Sequence, residues 1–308
     1  IYDEKTANTE HINEWAESQV YYSKGLVYPF LHSIGTFSFP VPDDYDEKAV
    51  EAWLGQYETT LIPENRQVDV MTIMLEAYSD LEPLGLEEIS DSVYAPLRQL
   101  QSEAIHGQLI VNVFAGGTIN TERAFLSGLL YLPTFRGLTD TYPWFFRESG
   151  YHTEGAHASY DWFYNRENIN QNLGFEEYFF IGDDVVGDSA NDNDFIPNLE
   201  ARYRAYCAEN DAPYFAYHLT YQGHGPYSQE ENQWGASYIE GDMPDAYRNI
   251  LNNYLGSVQD TMEQVTVMLD NLKDYDRPLV VVLFGDHKPW LGDAGDIYYG
   301  LGLNIDLS

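Results

Sequence analysis

The sequence predicts an α/β protein whose central sheet is mainly parallel and is covered by helices on both faces. Three apolar stretches have the length and composition of buried strands, at residues 68–75, 213–220 and 279–284. Between the last two, apolar residues recur every three or four positions from about 245 to 273, which predicts a long helix with one core-facing stripe. Strands that alternate with helices are typical of a parallel sheet flanked on both sides.

A glycine-rich corner follows another apolar run. Residues 109–114 are predicted to form a buried strand that turns through Gly116 and Gly117 into a helix beginning at Thr118. A helix N-terminus favours negative charge, so a hydroxyl at this corner suits attack on a phosphoryl or sulfuryl group. The ordinary alternative is that Thr118 or Thr121 only caps the helix, with Asn120 or Glu122 helping.

The remaining segments of the body are predicted from weaker patterns. A helix is predicted near 93–104, and residues 150–167 are predicted to be a loop. The acidic residues 182–194 are predicted to form a solvated loop, because their spacing does not match a calcium-binding EF-hand. The single cysteine, Cys207, is predicted to be a small buried side chain of a helix and excludes an intrachain disulfide.

The N-terminal part of the chain differs in composition from the rest. Residues 1–60, rich in Tyr, Glu and Asp, are predicted to form an arm with helices near 8–22 and 46–58 that packs on a catalytic domain spanning 61–308. No apolar run approaches the roughly 18–20 residues that a membrane-spanning helix needs. Because the chain begins at Ile1, we expect a fragment of a longer protein.

The charge balance excludes some partners. The chain has 15 Lys and Arg against 50 Asp and Glu, a net charge of −35. Nucleic-acid binding needs a basic surface, so no nucleic-acid partner is expected. Electrostatic docking on anionic lipids is disfavoured for the same reason.

Polar residues collect where the predicted strands end. Glu76, Thr118, His224 and the pair Asp286 and His287 each fall just past a strand or its following turn. In open α/β sheets, ligands bind outside the carboxyl ends of the strands. Each residue alone has an ordinary alternative, as an exposed acid, a helix cap or a turn residue, but four such coincidences favour one common site.

The chemistry of this set is coherent. Two carboxylates, one hydroxyl and one imidazole suit Mn²⁺, Mg²⁺ or Zn²⁺. A metal ion would lower the pKa of the Thr118 hydroxyl, which is otherwise a poor nucleophile. Arg166 and His224 are candidates for holding anionic oxygens. The alternative for Arg166 is a surface salt bridge with Glu167 or Asp161.

Five blocks of sequence carry a resemblance to a known family. In chain order they are residues 73–80, 116–122, 157–166, 223–227 and 285–287. Together they resemble the lipoteichoic acid synthases, which belong to the sulfatase-like branch of the alkaline phosphatase superfamily. The resemblance extends over about residues 60–292, and residues 21–34 look like the juxtamembrane arm of that family. It implies an extracytoplasmic catalytic domain, shortened at its C-terminus, that a membrane-embedded N-terminal region anchors at the outer face of a Gram-positive cell membrane.

The resemblance also assigns roles to residues. It implies that one divalent cation, typically Mn²⁺, is bound by Glu76, Thr118, Asp286 and His287. Thr118 matches a nucleophile that takes glycerol phosphate from phosphatidylglycerol as a covalent phospho-threonine.

The positions that contact substrate match the family pattern less completely than the metal-binding positions do. Arg166, His157 and His224 match residues that grip the glycerol-phosphate group. Tyr164 stands in a substrate-binding position where the synthases have Trp, and Ser159 and Leu291 also depart from their pattern.

The predicted function is therefore a metal-dependent phosphoglycerol transferase. Its partners would be the phosphatidylglycerol head group and a cell-envelope glycolipid or polymer as acceptor. The alternatives are a phosphatase or phosphodiesterase, a phosphoethanolamine transferase with the same site, or a sulfatase-like binding module without catalysis.

Overall fold

A computed structural model describes residues 21–22, 24–34, 43–57, 60–86, 89–130, 132, 135–303 and 305. The α-helices in this part of the chain are α1 (Val27–Ile34), α2 (Glu47–Leu54), α3 (Asp91–Glu103), α4 (Thr118–Ser127), α5 (Tyr142–Glu148), α6 (Arg166–Ile169), α7 (Asp192–Glu209), α8 (Asp245–Leu272) and α9 (Asp296–Gly300). The strands are β1 (Asp69–Leu75), β2 (His152–His157), β3 (Glu177–Phe180), β4 (Tyr214–Leu219) and β5 (Leu279–Gly285).

The five strands form one sheet in the order β3-β2-β4-β1-β5, and every neighbouring pair is parallel. β1 is central, with Met71 opposite Ala216 on one side and Val281 on the other. The predicted parallel α/β fold is confirmed. Because the sheet is parallel, the carboxyl ends of all five strands lie along one edge.

Both faces of the sheet are packed with apolar side chains. On one face, residues of β1 and β4 contact α7 and α8 through a cluster that includes Met71, Ile73, Tyr203, Met262 and Val265. On the other face, a cluster forms with α4 and α5 and includes Met74, Phe215, Tyr217, Leu126 and Phe146. Burial of both faces explains why β1 and β4 are almost continuous apolar runs in the sequence.

The long helix α8 has the predicted apolar stripe. Leu251, Leu255, Val258, Met262 and Val265 are all buried. Each fully buried side chain of this size contributes about 1.5–3 kcal/mol to folding relative to an exposed one. The predicted helices near 93–104 and 46–58 are also confirmed, as α3 and α2, whereas the one near 8–22 falls almost entirely outside the described residues.

Two strands lie where the sequence predicts no sheet. The prediction of a loop over 150–167 is wrong at β2, whose polar side chains are buried and paired with distant residues. The Thr153 hydroxyl donates to the Gly174 carbonyl at 2.9 Å, and Glu154 accepts from Arg202 at 2.7 Å. These partners replace water, so a polar sequence occupies the sheet interior.

The predicted strand at 109–114 is not formed. Leu109 and Ile110 are 56% and 94% exposed. No residue of this run pairs with a strand of the described sheet, in which β1 lies between β4 and β5. Its end is nevertheless anchored, because the Phe114 ring meets the Tyr298 ring edge-on at 5.5 Å.

The acidic segment 182–194 is only partly a solvated loop. Turns occupy its first part, but α7 begins at Asp192, whose side chain is fully buried. The Thr261 hydroxyl donates to Asp192 Oδ2 at 2.6 Å, which ties the start of α7 to α8. Within the described residues, no helix has the length and apolar character needed to cross a bilayer.

Candidate metal and nucleophile site

The site lies where β1, β4 and β5 end, and two glycines allow the chain segments to meet there. A Cβ on Gly223 would stand 2.1 Å from the Glu76 carbonyl oxygen, and one on Gly285 would stand 2.0 Å from that of Tyr78. Only glycine permits these approaches. The segments after β4 and β5 therefore pack directly against the backbone that follows β1.

Thr118 is the first residue of α4. Gly117 precedes it as the N-cap with φ of 79°, and no side chain of the described residues caps this helix. The Thr118 hydroxyl is turned to the strand ends, where it donates to Glu76 Oε2 at 3.2 Å and lies 3.2 Å from His287 Nε2. The capping alternative is therefore wrong for Thr118, and Thr121 donates at 2.8 Å to the Asp286 carbonyl instead of capping.

The two residues after β5 are fixed by backbone contacts. Asp286 Oδ1 accepts from the amides of Ala77 and His287, both at 2.8 Å. His287 Nδ1 lies 2.9 Å from the Lys288 carbonyl oxygen, a contact that directs a hydrogen to this nitrogen and leaves Nε2 as the atom that could bind a metal. Nε2 points into the site, 3.5 Å from Glu76 Oε1 and 3.2 Å from Asp286 Oδ2.

Two carboxyl groups are buried side by side at this point. Burial raises the pKa of Glu76 well above its usual value, and the Asp286 charge raises it further, whereas the Thr118 hydroxyl and the Arg166 charge lower it. Burial also raises the pKa of Asp286, against the lowering effect of His287. Two acids at close quarters need a compensating positive charge to remain ionised together.

The residues present fit a divalent cation. Ligand atoms of Glu76, Asp286 and His287 all lie within 4.8 Å of one another, and the Thr118 hydroxyl joins them. Asp286 Oδ2 is buried, and no described residue donates a hydrogen bond to it. A cation would supply that missing partner, and the oxygen-rich donor set matches Mn²⁺, Mg²⁺ or Zn²⁺. The structure thus brings together all four of the residues predicted to bind metal.

Arg166 is buried beside this centre. Its side chain is 1% exposed and pairs with Glu122, with Nη2 and Nε lying 2.6 and 3.2 Å from Glu122 Oε2. The alternative of a surface salt bridge with Glu167 or Asp161 is therefore wrong. Sequence reasoning considered Glu122 only as a helper of the helix cap and missed its pairing with Arg166, although its position four residues after Thr118 places it on the same face of α4.

The other residues predicted to contact substrate lie at or after the carboxyl ends of β2 and β4. His157 ends β2, is buried and donates from Nδ1 to the Leu219 carbonyl at 3.2 Å. Burial lowers the pKa of His157 well below its usual value, and the charge of Arg166 adds to this. The imidazole is therefore neutral at physiological pH.

Tyr164 and His224 complete this group. The Tyr164 ring centre lies 5.3 Å from the Arg166 guanidinium carbon, a cation–π distance. His224 is exposed, stacks on the Tyr221 ring at 4.8 Å, and hydrogen-bonds through Nδ1 to the Gly225 carbonyl. Tyr221 also meets the His157 ring at 5.9 Å. Tyr221 thus contacts both histidine rings, and the sequence analysis did not identify it.

Comparisons with known proteins agree with this fold. Residues 70–304 match the family model described as Sulfatase. A putative cyclic beta-1,2-glucan modification protein of Rhizobium meliloti (strain 1021) is 25% identical over 291 residues, which are 89% of this chain and 44% of that protein. The chain thus spans less than half of that relative's length.

Two solved structures share the fold. One is the lipoteichoic acid synthase LtaP from Listeria monocytogenes, with a TM-score of 0.55 and 21% identity over 72% of this chain and 56% of that one. The other is the Streptococcus pyogenes phosphoglycerol transferase GacH in complex with sn-glycerol-1-phosphate, with a TM-score of 0.65 and 19% identity over 84% and 74% of the two chains.

Proposed function

Because the chain belongs to the sulfatase family, a group of phosphoryl- and sulfuryl-transfer and hydrolysis enzymes, we propose that it is a phosphoglycerol transferase. The observation that carries the proposal is the position of the Thr118 hydroxyl. It lies 3.2 Å from both a carboxylate and an imidazole, at the N-terminus of a helix. A hydroxyl in this setting suits attack on an anionic phosphoryl group.

The proposed cofactor is one divalent cation, Mn²⁺ by preference and Mg²⁺ or Zn²⁺ otherwise. Members of this superfamily are metal-dependent. The residues that would hold the ion are Glu76, Thr118, Asp286 and His287. When bound, such an ion lowers the pKa of a hydroxyl and offsets charge on a phosphoryl oxygen.

The proposed reaction has two half-reactions. In the first, the Thr118 oxygen bonds to the phosphorus of phosphatidylglycerol while the bond from phosphorus to the diacylglycerol oxygen breaks. Thr118 loses its hydroxyl proton and the departing diacylglycerol gains one, so proton count is conserved. In the second, an acceptor hydroxyl bonds to phosphorus, the bond to Thr118 breaks, and the acceptor's proton balances the one that Thr118 regains.

Arg166 is proposed to bind the non-bridging phosphoryl oxygens. Of its five N–H groups, contacts within the described residues use one on Nε and one on Nη2 for Glu122 and a longer one on Nη1 for the Phe163 carbonyl. Two N–H groups remain for an anion. His157, His224 and Tyr164 are proposed to contact the glycerol-phosphate group beside it.

The donor and acceptor are proposed from relatives and chemistry together. GacH, a structural neighbour named as a phosphoglycerol transferase, binds sn-glycerol-1-phosphate, which supports phosphatidylglycerol as the donor. The name of the Rhizobium relative supports a glucan or other envelope polymer as the acceptor, with a glycolipid as the remaining choice. For such substrates we propose a location at the outer face of a cell membrane, with a membrane anchor in a segment outside this sequence.

Release of diacylglycerol tests the proposal. With Mn²⁺, purified protein is expected to release diacylglycerol from phosphatidylglycerol at least ten times faster than from phosphatidylethanolamine. Thr118→Ala is expected to abolish release, and Thr118→Ser, which keeps a hydroxyl, to retain part of it. Faster release from phosphatidylethanolamine would show that phosphatidylglycerol is not the preferred donor. Full activity of Thr118→Ala would refute the assignment of Thr118 as the nucleophile.

A further inference from the structure

A cavity is lined by the chain segment on either side of Arg166 and by residues from elsewhere in the chain. It has a volume of about 650 Å³, within the range of about 300–1,000 Å³ typical of ligand sites. Its polar and aromatic lining consists of Tyr21, Arg136, Asn165, Asn168, Gln171 and Asn172. No residue assigned above to the metal, the nucleophile or the phosphate lines it.

A strained turn connects this cavity to the catalytic centre. Tyr164 and Asn165 both have left-handed backbone angles, with φ of 57° and 56°. Successive non-glycine residues in this region are costly and are maintained only where the surroundings enforce them. After this turn the Arg166 side chain is buried beside the metal-binding residues, whereas Asn165 lines the cavity. A ligand in the cavity is therefore one residue along the chain from the proposed phosphate contact.

The lining chemistry selects the class of ligand. The chain has 50 acidic residues, yet the described residues of the cavity wall include four amide side chains and no carboxylate. An amide both donates and accepts, as a sugar hydroxyl does, whereas an anion needs several cations. Among the wall residues that the structure describes, Arg136 is the one cation, and it already has an interaction partner. The wall thus favours an uncharged polyhydroxyl ligand.

The amides are held in place but keep capacity for a ligand. Asn168 Nδ2 donates to Asn165 Oδ1 at 2.7 Å, Gln171 Nε2 to the Asn168 carbonyl at 3.2 Å, and Asn172 Nδ2 to the Phe135 carbonyl at 3.0 Å. Among the described contacts, each of these three amides uses one of its two N–H groups. The second N–H and the side-chain carbonyl oxygen remain for a ligand. Tyr21 adds a flat apolar face of the kind against which a sugar ring packs.

We propose that this amide-lined cavity binds the neutral oligosaccharide acceptor, holding sugar units remote from the hydroxyl that receives the phosphoglycerol group. The inference rests on the proposed function for the identity of the reaction, but not for the binding itself. Contacts to remote parts of a substrate orient its reacting group.

The test separates binding from transfer. The probe is a linear, neutral β-1,2-linked glucohexaose, titrated by calorimetry into the protein without lipid. The double variant Asn168→Ala/Gln171→Ala removes two exposed amides of the wall, and Gln99→Ala/Asn193→Ala removes two exposed amides elsewhere. We expect the cavity variant to raise the Kd at least tenfold and the control to change it less than twofold.

Transfer kinetics then place the site in the reaction. With phosphatidylglycerol as donor, the cavity variant is expected to have a KM for the glucohexaose at least ten times that of the wild type. When water is the acceptor, the rate of diacylglycerol release by the variant should stay within twofold of the wild-type rate. Wild-type protein that fails to bind the probe, or a cavity variant that binds it like the control, overturns the inference. If the glucohexaose binds as expected but no diacylglycerol is released from phosphatidylglycerol, the assignment of the cavity stands and the proposed donor is refuted.

Discussion

The buried ion pair between Arg166 and Glu122 permits a sharp test of how the centre is held. Its Nη2–Oε2 distance is 2.6 Å, and both side chains are 1% exposed. With charge centres about 4 Å apart and an effective dielectric constant of about 20, the attraction is about 4 kcal/mol. Removing one partner of such a pair leaves an uncompensated buried charge and costs about 3–5 kcal/mol. Glu122→Gln should therefore lower the free energy of unfolding by about that amount.

A second ion pair supplies the control. Arg98 Nη2 and Glu82 Oε2 are also 2.6 Å apart, but their side chains are 43% and 39% exposed. Exposed pairs contribute about 0–1 kcal/mol, so Glu82→Gln should change stability little. Urea unfolding of both variants measures the difference, because the midpoint shifts at a constant slope. Equal shifts for the two variants would refute the reasoning, since the two distances are the same, whereas Glu82 is exposed and Arg98 keeps Asp80 as a second partner.

Two other predictions concern the surroundings of the site. Burial raises the pKa of Asp192 to about 7. Between about pH 4 and pH 7 the carboxyl group is therefore protonated in the folded protein and ionised in the unfolded chain, so the free energy of unfolding falls as the pH rises through this range. At 1.36 kcal/mol per pH unit, the advantage of Asp192→Asn over wild type should grow by about 2–3 kcal/mol between pH 5 and pH 8 in urea unfolding, and a constant difference would contradict the assignment. Gly223→Ala would place its Cβ 2.1 Å from the Glu76 carbonyl oxygen and should cost at least about 1–3 kcal/mol and weaken Mn²⁺ binding in a calorimetric titration. Gly107→Ala, which meets nothing within 4 Å, is the matched control, and equal behaviour of the two would rule out the close approach.

The fold was predictable where burial is uniform. β1 and β4 have apolar packing on both faces, so their sequences are recognisable without knowledge of their neighbours. β2 was missed because Thr153 and Glu154 are satisfied by Gly174 and Arg202, and no local pattern shows contacts that far along the chain. The run at 109–114 shows the reverse error, because apolar character alone does not establish strand pairing, and these residues pair with no strand of the described sheet.

The centre of the site was more predictable than its support. Glu76, Asp286 and His287 follow directly from strands, and parallel topology then forces them to one edge. The sequence left open whether Arg166 pairs at the surface, because the answer depends on α4 packing beside it. Glu122 and the orientation of Thr121 toward Asp286 likewise follow only from that packing.

The central claim is that Thr118 forms a covalent bond to the transferred group. Mass spectrometry of the peptide containing residue 118, after brief incubation with phosphatidylglycerol and Mn²⁺ and an acid quench, tests it most directly. The account predicts a glycerol-phosphate adduct on Thr118 that disappears when acceptor is added and never forms in Thr118→Ala. Diacylglycerol release that continues without any adduct, and at the same rate in Thr118→Ala, would contradict it.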